Sequence, residues 1–108
     1  MEVKLLDQQT SVSGQITVAD IDQLVELGVE ILVCNRPDNE AKGQPLYSDI
    51  ASVALNKAIE VVNIPFSAGQ MTPEQVEEFA ALLKQGKRIH AYCRTGNRCT
   101  QIWTAATQ

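Results

Sequence analysis

One short segment concentrates the reactive side chains of this chain: Tyr92-Cys93-Arg94-Thr95-Gly96-Asn97-Arg98-Cys99-Thr100. A cysteine, a glycine-containing turn and an arginine in close succession form a residue set suited to attack on an oxyanion. Cys93 supplies a thiol that is nucleophilic as its thiolate. Where such a turn leads into a helix, the free amides of Thr95, Gly96 and Asn97 converge on one spot and the helix dipole adds positive potential there. The same field favours thiolate over thiol, so a lowered pKa is expected at Cys93. Gly96 gives the tight turn its backbone freedom. Arg98 can fork onto two oxygens of a tetrahedral anion. Arg94 adds a second cation, and Cys99 closes the expected anion-binding loop. A small buried cysteine beside a surface arginine would use the same letters. The position of the segment, after a strand pattern and before a helical one, argues for a site.

The rest of the chain reads as alternating strands and helices. Val3 to Leu6 and Ser11 to Ile16 are expected as opening strands, and Thr17-Val-Ala-Asp20 as a capping box. Ile21, Leu24, Val25 and Gly28 have helical spacing, with Gly28 suited to a C-terminal cap. Glu30 to Cys34 is a short apolar run of strand length, closed by the turn signal Asn35-Arg-Pro-Asp38. A second helix is expected over Ser48 to Ala58, and a strand over Glu60 to Ile64. The third helix is marked by Thr72 as cap, Pro73 at its first position and Gln75 completing the box. Met71 and Val76 are spaced as a hydrophobic staple, with Val76, Phe79, Ala80 and Leu83 as the buried stripe and Gly86 as the stop. Arg88 to Tyr92 reads as the last strand and Gln101 to Ala106 as the last helix. This order predicts an α/β fold, a small parallel-rich sheet flanked by helices. In such sheets ligands bind beyond the carboxyl ends of the strands, where Cys93 falls.

Composition narrows the partners. The 108 residues fit a single domain spanning 1–108. With 44% hydrophobic and 20% charged residues the chain is not a disordered tail. No apolar run approaches the ~20 residues of a membrane span, and no basic-then-apolar leader opens the chain, so a cytoplasmic protein without a membrane partner is expected. A formal charge of −4 lacks the basic stripe of a nucleic-acid binder. Three cysteines, an odd number, point to reduced thiols. They and the one histidine lack paired Cys-x2-Cys spacing, so neither metal nor other cofactor is expected.

Cys-x4-Arg with Arg-x-Gly after the cysteine resembles the rhodanese loop, one residue shorter than the Cys-x5-Arg loop of protein tyrosine and dual-specificity phosphatases. Val12-Ser-Gly-Gln15, Asn35-Arg-Pro-Asp38 with Glu40, Gln44-Pro45, Ile64-Pro65, Tyr92 to Arg98 and Trp103 follow a family order over nearly the whole chain. Together they resemble the bacterial beta-lactamase-hydrolase-like, phosphatase-like family, some members of which are labelled sulfurtransferases. The resemblance implies a cysteine-dependent, dual-specificity-phosphatase-like fold carrying a rhodanese-sized loop. It also implies that some relatives are fused to a metallo-hydrolase of the persulfide dioxygenase type. Two departures stand out. Cys99 occupies the place where such loops usually carry Ser or Thr to donate to the thiolate, with Thr100 as a possible substitute. The segment Pro65-Phe-Ser-Ala-Gly-Gln70, where these phosphatases commonly carry an acid, has none.

Two chemistries fit, and a third role stays open. Phosphate-ester hydrolysis expels an alkoxide or phenoxide, and a general acid helps by ~10²–10⁴-fold. Attack on a sulfane-sulfur donor such as thiosulfate expels sulfite and needs no proton donor. Loop length and the missing acid favour sulfur transfer: Cys93 forms a persulfide and passes sulfur to an acceptor thiol or cyanide, with Arg94 and Arg98 holding the small anionic donor. The alternative is a phosphatase acting on a phosphate-like anion through a phosphocysteine, with Asp38 as candidate acid on the same sheet rim. Pairing with Arg36 or capping of its turn is the preferred reading of Asp38. The third role is an anion or redox sensor without turnover. His90 lies three residues before Cys93, on the opposite sheet face, and reads as a hydrogen-bonded core residue. Cys34 reads as buried and inert, and Trp103 as a core anchor. Lys87 and Arg88 read as solvated. Cys99 is either a resolving thiol or a small residue facing the loop.

Overall fold

The computed structural model describes residues 1–108. Strand β1 (Lys4–Leu5) turns back into β2 (Thr10–Ser13), and a short 3-10 turn (Val18–Asp20) leads into α1 (Ile21–Glu26). Then come β3 (Ile31–Cys34), α2 (Tyr47–Asn56), β4 (Glu60–Asn63), α3 (Pro73–Leu83), β5 (Ile89–Tyr92) and α4 (Asn97–Ala106). The sheet order is β1-β2-β5-β3-β4, and every pairing is parallel except the antiparallel β1–β2 edge. The expected α/β architecture is therefore present, with one antiparallel edge strand. β5 sits at the centre, so the residue following Tyr92 emerges between the ends of β2 and β3. The strand ends are laced together there: the Cys93 amide donates to Ser13 O at 3.3 Å, and Asn35 N to Tyr92 O at 2.9 Å. On the far side Ile64 N donates to Cys34 O at 2.9 Å.

Alternation of side chains across the strands makes two cores. Val12, Ile31, Val33, Ile89 and Ala91 face Phe79, Leu82 and Ile102, which α3 and α4 contribute. Leu32, Cys34 and Tyr92 face Ile21, Leu24, Ile50 and Ala54 of α1 and α2. Cys34 is buried and free, as expected. α3 forms where its local chemistry dictates: Thr72 Oγ1 accepts from Gln75 N at 3.2 Å, and Gln75 Oε1 accepts from Thr72 N at 3.0 Å. Gly28 follows α1 with φ of 77°, a left-handed C-terminal cap.

Several boundaries differ from the expected ones. β2 stops at Ser13, because Gly14 and Gln15 turn toward the reactive loop, and Ile16 enters the core from a loop. Val25 is 43% exposed and not a core residue, because α1 lasts only six residues and Ile21 and Leu24 alone reach the sheet. Leu82, not Ala80, joins Phe79 on the fully buried side of α3. α4 begins at Asn97 rather than Gln101, which brings Arg98 and Cys99 into its first turn. Arg88 is tied down: its Nη1 donates to Leu27 O at 2.8 Å.

His90 occupies the α1/α2 side of β5, between two serines of β2. Ser13 Oγ spends its proton on Gly14 O (2.9 Å), so it must accept from His90 Nε2–H (2.8 Å). Nδ1 then accepts from Ser11 Oγ–H at 2.7 Å. Burial pushes the imidazole down to about 4, so it is neutral near pH 7, and both ring nitrogens are satisfied.

Gly14 joins this framework to the reactive loop. A Cβ built there would stand 2.8 Å from Arg94 O, closer than nonbonded carbon and oxygen tolerate. Gly14→Ala should therefore push the loop off β2 and destabilise the fold by about 1–3 kcal/mol, as overpacking does. Urea unfolding measures the loss, and an unchanged midpoint would show that the loop yields freely.

Candidate active site

The loop after β5 folds back on its own cysteine. Gly96 has φ of 95°, a left-handed conformation that a β-carbon resists, and it caps α4. Its amide donates to Cys93 Sγ at 3.1 Å, and its carbonyl accepts from Thr100 N at 3.0 Å. Gln15 N reaches Arg94 O at 3.4 Å, fixing the loop from the β2 side.

Cys93 has no exposed surface, yet its pKa is lowered to about 5. The leading cause is a hydrogen bond from the Cys99 thiol. Burial opposes the shift, and the amides of Cys99, Thr95 and Gly96 reinforce it. Cys99 moves the other way. Burial and the neighbouring Cys93 sulfur hold it well above the ordinary thiol range, so it stays protonated and keeps its donor. The two thiols are thus pushed in opposite directions, Cys93 toward the thiolate and Cys99 toward the thiol. Cys99 fills the place of the expected hydroxyl. Thr100 does not, because its Oγ1 bonds Gly96 O within its own helical turn at 3.0 Å.

Arg98 is held end-on by Glu40. Nη1 donates to Oε2 and Nη2 to Oε1, both at 2.8 Å, and Nη1 also donates to Phe66 O at 2.9 Å. A guanidinium has five N–H donors, so these contacts leave Nε–H and the neighbouring Nη2–H. Those two lie parallel and form a second fork, side-on, suited to two oxygens of an anion. Glu40 also accepts from Arg36 Nε at 2.9 Å, and Arg36 Nη1 donates to Gln15 Oε1 at 3.0 Å. The bond from Arg98, with help from Arg36, draws the Glu40 carboxyl down to about 2. Gln44 steadies this segment, accepting from Glu40 N and donating to Pro37 O.

Cys93, Gly96, Arg98 and Cys99 come together as expected, and the amide of Thr95 joins them. Asn97 does not contribute its amide, which turns to Thr95 Oγ1 at 3.3 Å. Arg94 is exposed on the loop rim. Asp38 is exposed, and its Oδ1 accepts from Tyr47 N at 2.9 Å, at the start of α2. That contact ties one carboxylate oxygen to a helix end, which is neither the Arg36 pairing nor the capping of its own turn that was expected for it. Sequence reasoning gave no role to Glu40, Gln15 or the Phe66 carbonyl, and it paired Arg36 with Asp38, whereas Arg36 binds Glu40. The available signal was the Arg36–Glu40 spacing of four, which suits an ion pair in a turn. The largest groove, about 570 Å³, runs along the outer side of the loop past Lys4, Ser13, Gln15, Thr95 and Asn97, and does not include Cys93 or Arg98.

Residues 2–108 match the family described as beta-lactamase hydrolase-like protein, phosphatase-like domain. The beta-lactamase hydrolase-like protein of Agrobacterium fabrum is 24% identical over 104 residues, covering 95% of this chain, and the chain spans only 24% of that protein's length. The crystal structure of a candidate phosphatase from Neisseria meningitidis has a TM-score of 0.84 and 35% identity, over 92% of this chain and 71% of that one. A candidate phosphatase from Shewanella putrefaciens has a TM-score of 0.83, with 97% of this chain and 66% of that one covered. At 21% identity the second likeness speaks for the fold alone. These comparisons carry a phosphatase-like cysteine-hydrolase fold. They favour the phosphatase alternative over the sulfur-transfer reading expected first.

A thiolate held this way should titrate with a midpoint near 5, read as ultraviolet thiolate absorbance that Cys93→Ser abolishes. Cys99→Ala removes the leading donor, so the midpoint should rise. A midpoint unmoved in that variant would mean that the amides alone hold the charge.

Proposed function

The chain belongs to the beta-lactamase hydrolase-like, phosphatase-like domain family, and from that premise we propose that it hydrolyses phosphate monoesters or closely similar anions through a covalent intermediate on Cys93. The observation that carries this reading is the pairing, within one loop, of a Cys93 thiolate at the start of α4 with the unspent side-on fork of Arg98. The substrate dianion docks with two oxygens on that fork and with the loop amides and helix dipole behind it. The Cys93 sulfur attacks phosphorus while the ester oxygen leaves with the bonding pair. Water then attacks the phosphocysteine, phosphate departs, and the cysteine leaves as a thiolate received by the Cys99 S–H.

Proton supply narrows the substrates. Glu40 is ionised between two arginines, Asp38 is engaged by the Tyr47 amide, and the segment Pro65 to Gln70 has no carboxyl group. The leaving oxygen therefore takes its proton from water. Esters whose leaving group is already a weak base, such as aryl phosphates and phosphoric anhydrides, gain most under that condition.

A second reading keeps one specific support. The Cys-x4-Arg loop is one residue shorter than a phosphatase loop and folds tightly around a single sulfur, with Gly96 N at 3.1 Å. In sulfur transfer, Cys93 would attack the outer sulfur of thiosulfate, sulfite would leave with the bonding pair, and the persulfide would pass its sulfur to an acceptor thiol.

Turnover of a series of aryl phosphates should fall steeply as the leaving phenol becomes more basic. Cys93→Ser should lower the rate by at least about 10³-fold, as loss of a catalytic nucleophile does. Intact mass after brief thiosulfate exposure separates the two readings. A one-sulfur gain on Cys93 without phosphatase turnover would replace the first by the second.

A further inference from the structure

The reactive loop rests on one turn, and that turn is held from beneath. Ser13, Gly14 and Gln15 carry the chain out of β2 and meet the loop repeatedly. Ser13 O accepts from Cys93 N at 3.3 Å, and Gln15 N donates to Arg94 O at 3.4 Å. A Cβ on Gly14 would meet Arg94 O at 2.8 Å, and one on Gly96 would lie 3.5 Å from Ser13 O. The same turn reaches the arginine. Gln15 Oε1 accepts from Arg36 Nη1, Arg36 Nε donates to Glu40, and Glu40 clamps Arg98. Nucleophile and anion fork are therefore registered on the same three residues.

The brace on this turn comes from β5. Ser11 and Ser13 stand two residues apart on one face of β2, and His90 is the register partner of Ser11. Its ring spans both: Nδ1 lies 2.7 Å from Ser11 Oγ and Nε2 2.8 Å from Ser13 Oγ. Ser13 Oγ donates in turn to Gly14 O at 2.9 Å. All three residues are buried. Leu32, the register partner of His90 on β3, fills the same layer of the core with an apolar side chain. Packing alone therefore does not require an imidazole here. The polar trio adds direction, because each hydrogen bond fixes a donor–acceptor line that an apolar contact leaves free.

We propose that His90 is a positioning residue of the reactive loop, acting through Ser13 to fix the Ser13–Gln15 turn on which Cys93 and Arg98 are aligned. The role deepens the hydrolase reading, because the loop it aligns is the one that hydrolysis would use. Without the Nε2–H bond, Ser13 Oγ is free to leave Gly14 O, and the turn loses the brace at its first residue. Cys93 then drifts from the amides around its sulfur, and Arg98 from the line of attack.

Substitutions that divide the two contacts of the ring test this role. In His90→Gln the amide nitrogen falls near the place of Nε2 and still donates to Ser13. In His90→Asn the shorter side chain reaches the place of Nδ1 and serves Ser11 alone. The first readout is the ultraviolet thiolate titration of Cys93, which needs no substrate. Ser13→Ala and His90→Asn should raise its midpoint and lower kcat for an aryl phosphate by about 10- to 100-fold, as small misplacements of reacting groups do. His90→Gln should restore most of both. Ser11→Ala loses a buried hydrogen bond of the same kind but leaves the turn braced. It should lower the urea midpoint and leave the thiolate midpoint and kcat unchanged. Equal effects of Ser11→Ala and Ser13→Ala would show a trio that only stabilises the core and would overturn the proposal. A folded Ser13→Ala with an unmoved thiolate midpoint would overturn it too. If the unmutated chain turns over no phosphate ester, the hydrolase reading falls, while the thiolate midpoints still decide the role of His90.

Discussion

The structure turns on keeping one buried sulfur negatively charged. Cys93 has no exposed surface, and removing an ion from water is costly unless donors replace the lost hydration. The chain meets that cost with the Cys99 thiol first and with three backbone amides after it. Those amides are free to point inward only because the turn at Gly96 starts a helix, whose first N–H groups have no carbonyl partner within it. The folded pKa lies near 5, below the ordinary thiol value. Ionised sulfur therefore favours the folded state above that ordinary value, and the contribution shrinks as pH falls and is gone once the pH is below about 5. Most of the architecture around the loop serves this demand. β5 is central, so its end is enclosed by β2 and β3, and both neighbours supply groups that fix the loop.

The positive side of the site is organised by a carboxylate. Without Glu40, the guanidiniums of Arg36 and Arg98 would crowd the same rim and repel each other. With it, each is directed by a bond at 2.9 Å or less. The end-on clamp on Arg98 leaves one pair of donors free, and that pair faces sideways. A binding fork defined by subtraction is better oriented than a freely rotating side chain, because a three-contact anchor removes most of its rotamer freedom before any ligand arrives.

Much of this was legible in the sequence where the physics is local. Thr72, Pro73 and Gln75 specify the start of α3 within four residues. The Cys93-to-Arg98 segment announces a thiolate cradle because nucleophile, glycine and cation fall in one turn. Long-range partners were not legible. Glu40 meets Arg98 across 58 residues, and His90 meets Ser11 across 79. No local pattern marks either pairing. Asp38 illustrates the opposite failure, a residue type that suits catalysis but is drawn off by a helix end. α4 was placed too late because Gly96 reads as a loop glycine, while in the fold it is the cap from which the helix starts.

The same contacts bear on what the loop can hold. On the β2 side it has no slack: Gly14 has no room for a β-carbon against Arg94 O, and Ser13 O and Gln15 N grip the loop backbone. On the other side stand Arg98 and Glu40, whose side chain is 24% exposed and whose bonds are ionic contacts between flexible groups. Packed backbone resists displacement more than a partly hydrated ion pair does. Any tetrahedral group larger than the present cradle must therefore be accommodated by movement of Arg98 and Glu40, with β2 as the fixed wall. A ligand on the side-on fork of Arg98 is therefore set between a fixed backbone wall at β2 and a clamp at Glu40 that lies outside the Cys93-to-Arg98 segment itself.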